Sequence, residues 1–226
     1  LFRSHRGISE QVLQFAKSFK PHTRFHLGDV VDTAAFRGGA SGTKDEAEPI
    51  APDRNSAVEF LKAYVPTHVA WGNHDWRLWE MAHSPKAIVA HCASELRDQL
   101  IAAVGGAQTV PYHFRQGWFE LGGYYWGHGF WFNEQAVRDH AEFLGGPLVM
   151  AHLHVPQQVQ GRTRKWTESF CTGLLGDPDL MTYAHRRRAT ARWGHGVVFG
   201  EYTEREARLW LAKSAPGQPL QFPTGM

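Results

Sequence analysis

The chain has 226 residues, 42% of them hydrophobic, and a formal net charge of +2 at pH 7. This length allows a substantial buried core, so we expect one domain over residues 1–226. The small net charge excludes a bulk field that would attract nucleic acid. Neither a membrane-spanning apolar run nor a signal-peptide pattern occurs in the sequence, and we expect a cytoplasmic protein without a membrane partner.

The first third of the chain predicts alternating helices and strands. Apolar residues at helical spacing from Ile8 to Phe19 predict a helix that ends at Lys20-Pro21. Strands are expected over residues 23–27 and 67–71, with a helix over about residues 55–64 between them. This βαβ alternation indicates parallel strands, and ligands bind at the carboxyl ends of such strands.

Polar motifs follow both predicted strands. The first strand leads into Gly28-Asp29-Val30-Val31-Asp32 and the second into Gly72-Asn73-His74-Asp75. Between them, residues 37–54 are rich in Gly, Ala, Pro and acidic residues without periodicity, which predicts a long mobile loop beside the site. A lid over the site and a plain surface insertion are both compatible with this composition.

Beyond residue 110 the pattern changes to short β segments separated by Gln-Gly and Gly-Gly turns, which predict hairpins in a second sheet. A helix is expected over residues 133–144. The predicted strands of this half cover residues 112–115, 118–121, 124–126, 147–150, 165–172, 196–202 and 207–211. Two more polar motifs follow strands here, Gly127-His128-Gly129 and Ala151-His152-Leu153-His154.

The two cysteines, Cys92 and Cys171, are far apart in sequence and match no metal-binding spacing. We expect both to be buried free thiols.

Carboxylate, amide and imidazole groups therefore follow successive strands. Together they form a ligand set that divalent transition metals favour over calcium or magnesium. His152 and His154 would point to one face of a strand, whereas a bent loop could direct them to separate metals.

The order of these motifs resembles the calcineurin-like metallophosphoesterase superfamily, whose pattern is Asp-x-His, Gly-Asp-x-x-Asp, Gly-Asn-His-Asp/Glu, a lone His before Gly, and Gly-His-x-His. Four of these five blocks occur here, with His128 as the lone histidine. The resemblance implies a four-layer α/β/β/α sandwich of two mixed sheets flanked by helices. It also implies phosphoester hydrolysis at a two-metal centre.

By this resemblance, Asp29 bridges two divalent ions that activate a hydroxide between them. Asn73, His128 and His152 complete one metal site, and His154 belongs to the other. The ions are Mn, Fe, Zn or Ni, with Mn favoured; the sequence does not specify which.

The resemblance also implies roles beside the metals. His74 would protonate the leaving-group oxygen or stabilise its charge, and Asp32 would orient this imidazole. Asp75 is interpreted as a structural turn residue that closes its loop onto its own backbone.

The sequence departs from the family pattern at two places. Ala151 replaces the Gly of the last block, and the Asp-x-His block is missing, since no Asp precedes Asp29. The chain opens at Leu1 without an initiator Met and passes directly into a helix. We expect the reading frame to continue upstream with a strand that ends in Asp-x-His within a few residues of Leu1, so that this chain is a single domain without its first strand.

The resemblance implies a phosphoester substrate, and three functions stay open. A phosphodiesterase or nuclease-like enzyme is favoured, a phosphomonoesterase acting on nucleotides or small metabolites is the first alternative, and a non-catalytic module that lost one metal site is the second. Thr33 stands where protein phosphatases carry an Arg, which argues against that class. A basic group could contact nucleic acid or form a solvated turn; its members are Arg162, Arg164, Lys165, Arg186, Arg187, Arg188 and Arg192. The sequence does not indicate an oligomeric state.

Overall fold

The computed structural model describes residues 5–162, 167–181 and 188–222. Its α-helices are α1 (Arg6–Phe19), α2 (Ile50–Tyr64), α3 (Asn73–Met81), α4 (Ala87–Val104) and α5 (Ala136–Leu144). None of the helices in the described part combines the length and the apolar character needed to span a bilayer.

The strands are β1 (Phe25–His26), β2 (His68–Ala70), β3 (Gln108–Val110), β4 (Trp118–Leu121), β5 (Tyr124–Gly127), β6 (Leu148–Met150), β7 (Gln157–Gln160), β8 (Glu168–Cys171), β9 (His195–Tyr202) and β10 (Ala207–Ser214). A parallel sheet has the order β1-β2-β3, and a mixed sheet has the order β4-β5-β6-β8-β7. Strands β9 and β10 form a separate antiparallel pair.

The core lies in layers between these sheets and the helices. Side chains of α2, α3 and α4 pack on β2, where Leu61, Val69 and Leu100 are fully buried. On the other side of the molecule, α5 packs on the mixed sheet. Apolar residues of β1, β9 and β10 meet the inner face of the mixed sheet around Trp126 and Phe170. The prediction of a mixed α/β sandwich with outer helices is therefore confirmed.

The parallel strands bring the polar motifs to one edge. Phe25 pairs with His68 in β2, and His68 pairs with Gln108 in β3. Strand β6 is likewise parallel to β5 and β8. The loops that follow β1, β2, β5 and β6 carry the motifs of the sequence.

The segment over residues 37–54 is more regular than predicted. It contains a short 3-10 helix, Lys44–Ala47, and α2 begins at Ile50 and not near Asn55. The Thr43 side chain caps the 3-10 helix by accepting from Asp45 N. The buried Asp45 pairs with Arg37, and that ion pair ties the segment together.

Three further expectations differ from the structure. Residues 112–115 form a turn and not a strand, because the His113 ring accepts backbone N–H groups of Arg115 and Gln116 at 3.2 and 3.1 Å. Helices α3 and α4 and strands β3 and β7 lie where the sequence analysis assigned no element. Cys171 is buried as expected, but Cys92 is exposed on α4 and both thiols are free. Residues 165 and 166 of the predicted 165–172 strand lie outside the described residues.

Candidate metal centre

Four residues that follow four different strands meet at the carboxyl edge of the strands: Asp29, Asn73 at the start of α3, His128 and His152. The Nε2 atom of His128 lies 3.2 Å from Asn73 Oδ1, 3.3 Å from Asp29 Oδ2 and 3.1 Å from His152 Nδ1. Asp29, His128 and His152 are the group of carboxylate and imidazole side chains that could hold a metal ion among the described residues. The structure thus brings together the predicted ligands of one metal site.

The chemistry of these four atoms fits a divalent cation. His128 Nδ1 lies 2.6 Å from the Leu27 carbonyl oxygen and must donate to it, so Nε2 of the neutral ring presents a lone pair. Asn73 Oδ1, Asp29 Oδ2 and His152 Nδ1 surround this Nε2 atom. Ligand atoms about 2.0–2.2 Å from a metal in tetrahedral or octahedral coordination lie about 2.8–3.6 Å apart, and the observed spacings fall in that range.

Electrostatics at the centre favour a cation as well. Burial raises the pKa of Asp29, but His128 and His74 act against burial and hold that pKa well below its usual value. Burial lowers the pKa of His128, whereas the Asp29 carboxylate raises it, and the net result lies above the usual value. Burial and His128 lower the pKa of His152 to about 3. The pKa of His128 is thus raised at the point where a metal ion would bind, whereas His152 is neutral at pH 7.

Two glycines let the loops of the metal centre approach each other closely. A side chain at Gly28 would collide with the backbone of Gly72 and with the His128 ring, and Gly28 has φ +93°. A side chain at Gly72 would collide with Asp29. Asp29 itself has φ 54°, a conformation that costs a non-glycine residue about 1–3 kcal/mol.

Asp75 holds the strained Asp29 loop. Its buried carboxylate accepts four backbone N–H groups, from Asp29 at 2.7 Å, Val30 at 2.9 Å, Val31 at 3.2 Å and Gly72 at 2.9 Å. The predicted bond within its own loop, from Gly72 N–H, is present. The other three bonds come from the motif that follows β1. Burial and the Asp29 charge raise the pKa of Asp75 to about 7, against the opposing effect of its N–H donors.

His74 lies beside the centre with a fixed ring. Its Nδ1 is 2.6 Å from Asp32 Oδ1, and its Nε2 is 4.0 Å from Asp29 Oδ2. Burial lowers the pKa of His74, Asp29 raises it, and the charges of Arg77 and Arg37 lower it further. The imidazole is therefore mainly neutral at pH 7, with Asp32 as the acceptor of its Nδ1 proton.

His154 stands apart from the four-residue cluster. It has φ 59°, its ring packs against Trp193 with centroids 4.6 Å apart, and burial lowers its pKa to about 4. Among the described residues, its Nδ1 is a buried atom without a hydrogen-bond partner. The charges of Asp29, His74 and His128 also act on the pKa of His154, so it lies near the same centre.

Several residues that support the site carry no predicted role in the sequence. Asp53 of α2 accepts the N–H groups of Asp32 and Thr33 at 2.9 and 3.1 Å. The buried His140 accepts Phe130 N at 3.0 Å and so holds the loop after His128. The sequence signal that could have identified Asp53 is an acidic residue in the first turn of a helix, where Asp53 lies in α2.

The predicted basic group is described only in part. Arg162 lies 3.2 Å from Glu142, and Arg192 lies 4.0 Å from Glu134. Arg164, Lys165, Arg186 and Arg187 and the side chain of Arg188 lie outside the described residues. The nucleic-acid prediction therefore stays a prediction.

A family model described as calcineurin-like phosphoesterase matches residues 5–195 of the chain. No curated protein and no solved structure matched it. The matched range contains Asp29, Asn73, His128, His152 and His154.

Proposed function

Because the chain belongs to the calcineurin-like phosphoesterase family, we propose that it is a hydrolase that cleaves phosphodiesters at a two-metal centre. The observation that carries the proposal is the convergence of three other ligand atoms within 3.1–3.3 Å of His128 Nε2. A carboxylate oxygen, an amide oxygen and two imidazole nitrogens gathered at one point form a donor set that divalent transition metals bind.

The residues divide between two ions. Asp29, Asn73, His128 and His152 would hold the first ion, and Asp29 and His154 would contribute to the second. Divalent ions bound there would supply Lewis acidity toward the phosphoryl oxygens and lower the pKa of a water molecule. Manganese, iron, zinc and nickel all suit the donor set, and manganese is our first choice.

His74 is the proposed proton donor to the leaving-group oxygen. Its free ring is mainly neutral, because burial lowers its pKa. An anionic phosphate beside Nε2 stabilises the imidazolium, so His74 would take up its proton when substrate binds. Asp32, 2.6 Å from Nδ1, keeps Nε2 directed at the centre and stabilises the charged ring.

Arg77 is the proposed phosphate-binding cation. It lies one turn after His74 on α3, and its Nη1 donates to the Asp32 carbonyl oxygen at 3.0 Å. Its charge lowers the pKa of His74, which places it within electrostatic reach of that imidazole. Arg77 would thus supply the positive charge that protein phosphatases carry on an Arg at the position of Thr33.

A substrate panel on the full-length protein tests the proposal. With Mn²⁺ present, we expect bis-aryl phosphate to be hydrolysed faster than aryl phosphate, and the panel adds a cyclic nucleotide and single- and double-stranded DNA. Preference for aryl phosphate would instead support a phosphomonoesterase. A steep loss of DNA cleavage with added salt would indicate contacts to a polynucleotide backbone, whereas a small diester should respond little. Absence of turnover with every substrate and every metal would contradict an enzymatic function.

A further inference from the structure

Three exposed aromatic side chains pack against one another beside α5, and a fourth adjoins them in sequence. Phe114, Trp131 and Phe143 are 38–45% exposed, and Phe132, which follows Trp131, is 83% exposed. The ring centroids of Trp131 and Phe143 are 5.6 Å apart, and those of Phe114 and Phe143 are 6.0 Å apart. We call these four residues the aromatic surface. The other exposed aromatic residue in the described part of the chain is Tyr202 of β9. Exposed apolar side chains grouped in this way indicate a binding surface.

The aromatic surface is continuous with the metal centre. The ring centroid of Phe130 lies 6.0 Å from that of Trp131 and 6.5 Å from that of Phe114. On its other side, Phe130 contacts Tyr112 with centroids 5.9 Å apart. The Tyr112 ring in turn lies 5.9 Å from the ring of His128, a proposed metal ligand. Two rings, Phe130 and Tyr112, therefore connect the aromatic surface to the centre.

The buried His140 fixes the loop that carries this surface. Its Nδ1 lies 2.6 Å from the Ala136 carbonyl oxygen and donates to it, so Nε2 of the neutral ring is an acceptor. That Nε2 accepts Phe130 N at 3.0 Å and Trp131 N at 3.4 Å. A backbone held in this way loses little conformational freedom when a ligand binds, which favours affinity.

The charges beside the aromatic surface suit an anionic ligand. The guanidinium carbon of Arg115 lies 5.3 Å from the centroid of the Phe114 ring. Arg115 is exposed, and it forms no ion pair with any residue that the structure describes. The nearby Glu142, which precedes Phe143, is paired with Arg162 at 3.2 Å. The aromatic surface thus offers ring faces next to an available positive charge.

An aromatic base that is joined to a phosphodiester matches both the rings and the metal centre. We infer that the aromatic surface binds unpaired bases of a single-stranded nucleic acid whose phosphodiester reaches the metal centre, an inference that rests on the proposed function for the position of the phosphate. Exposed ring faces bind bases by stacking, and bases within a duplex are already stacked on one another. Stacking does not require a strong positive field, which agrees with the formal net charge of +2.

Binding to the full-length protein in the presence of a chelator tests base recognition separately from hydrolysis. At one fixed salt concentration, fluorescence anisotropy measures Kd for labelled oligothymidylate, for an abasic strand of equal length and for a duplex of equal length. We expect oligothymidylate to bind at least about tenfold more tightly than the other two strands.

Variants of the exposed rings locate that preference. Trp131→Ala should weaken binding of oligothymidylate by about tenfold and leave binding of the abasic strand unchanged, whereas Trp131→Phe should retain most of the affinity. Phe132→Ala, at the most exposed ring, should weaken binding in the same direction. Tyr202→Ala is the matched control, because this exposed aromatic residue lies on β9, and its Kd should equal that of the unmodified protein.

Equal affinity of the unmodified protein for oligothymidylate and the abasic strand would overturn the inference, and so would an unchanged Kd in both Trp131→Ala and Phe132→Ala. A dimer, or binding to phosphatidylcholine vesicles, that Trp131→Ala abolishes in a protein without base-dependent binding would make the aromatic surface a subunit or lipid interface instead. Base-dependent binding in a protein that does not hydrolyse bis-aryl phosphate with Mn²⁺ would contradict the proposed function alone. Hydrolysis without base-dependent binding would contradict this inference alone.

Discussion

Asp75→Ala should loosen both loops of the metal centre at once. The change removes the acceptor of four backbone N–H groups, on Asp29, Val30, Val31 and Gly72. Each buried donor left without a partner costs about 1–3 kcal/mol, which gives a gross loss of about 4–12 kcal/mol. Two effects reduce this sum: water can enter the space left by the side chain, and the cost of burying the Asp75 charge disappears.

We therefore expect a net loss of about 3 kcal/mol in the free energy of unfolding, against a typical total of about 5–15 kcal/mol. Urea denaturation of the metal-free protein at pH 8, where Asp75 is mainly ionised, measures this loss in the free energy of unfolding. Asp53→Ala is the comparison, because Asp53 accepts two of the loop N–H groups and not four. Its loss should be about half as large.

Affinity for Mn²⁺ should fall in Asp75→Ala as well. Asp29 has φ 54°, and the bond from its N–H to Asp75 opposes relaxation of that strained backbone. A loss below about 1 kcal/mol with unchanged metal affinity would refute the role of Asp75. A larger loss of stability in Asp53→Ala than in Asp75→Ala would refute the idea that the loss grows with the number of N–H groups left without an acceptor.

The other predictions concern the centre itself. Asp29→Asn should reduce bound metal and turnover together, and normal metal content with normal turnover would exclude Asp29 as the shared ligand. His74→Ala should retain metal and lower kcat by about 10²- to 10⁴-fold, with a smaller loss for a substrate whose leaving group is very acidic; loss of metal would make His74 a ligand. Arg77→Met should raise KM for a phosphodiester by about tenfold or more with metal content unchanged, while Arg77→Lys keeps part of the affinity. Mn²⁺ competes with a proton for His128, whose pKa is raised, so affinity for Mn²⁺ should weaken by up to about tenfold per pH unit below that pKa. Calorimetry measures this affinity, and a value independent of pH between 5 and 8 would contradict the role of His128 as a ligand.

The meeting of Asp29, Asn73, His128 and His152 could be expected from sequence because each follows a strand of a parallel or mixed sheet. Parallel strands end at one edge, so residues distant in sequence become neighbours there. The order of strands and motifs thus predicts that these residues lie near one another, whereas their grouping as ligands of one metal site is what the family resemblance implies.

The role of Asp75 could not be predicted in the same way. Its bonds to the Asp29 loop depend on two chain segments approaching each other across Gly28 and Gly72, which is a tertiary feature. The sequence showed only the local turn to Gly72. Asp53 was missed for a related reason, because the segment before it was interpreted as an irregular loop and the start of α2 was placed too late.

Residues 112–115 show how local patterns fail. Aromatic residues there suggested a strand, but the His113 ring accepts backbone N–H groups of the following residues and forms a turn. The strand lies earlier, at Gln108–Val110, where pairing with β2 determines the conformation. Side chain to backbone bonds of this kind compete with strand pairing and are not visible in apolar periodicity.

Turnover of bis-aryl phosphate by the full-length protein, followed during removal and return of Mn²⁺, tests the proposed metal-dependent hydrolysis most directly. A chelator should abolish turnover, and added Mn²⁺ should restore it in proportion to the metal bound, with Asp29→Asn inactive at every concentration. Turnover that persists in the chelated protein, or that is equal in Asp29→Asn, would contradict the account.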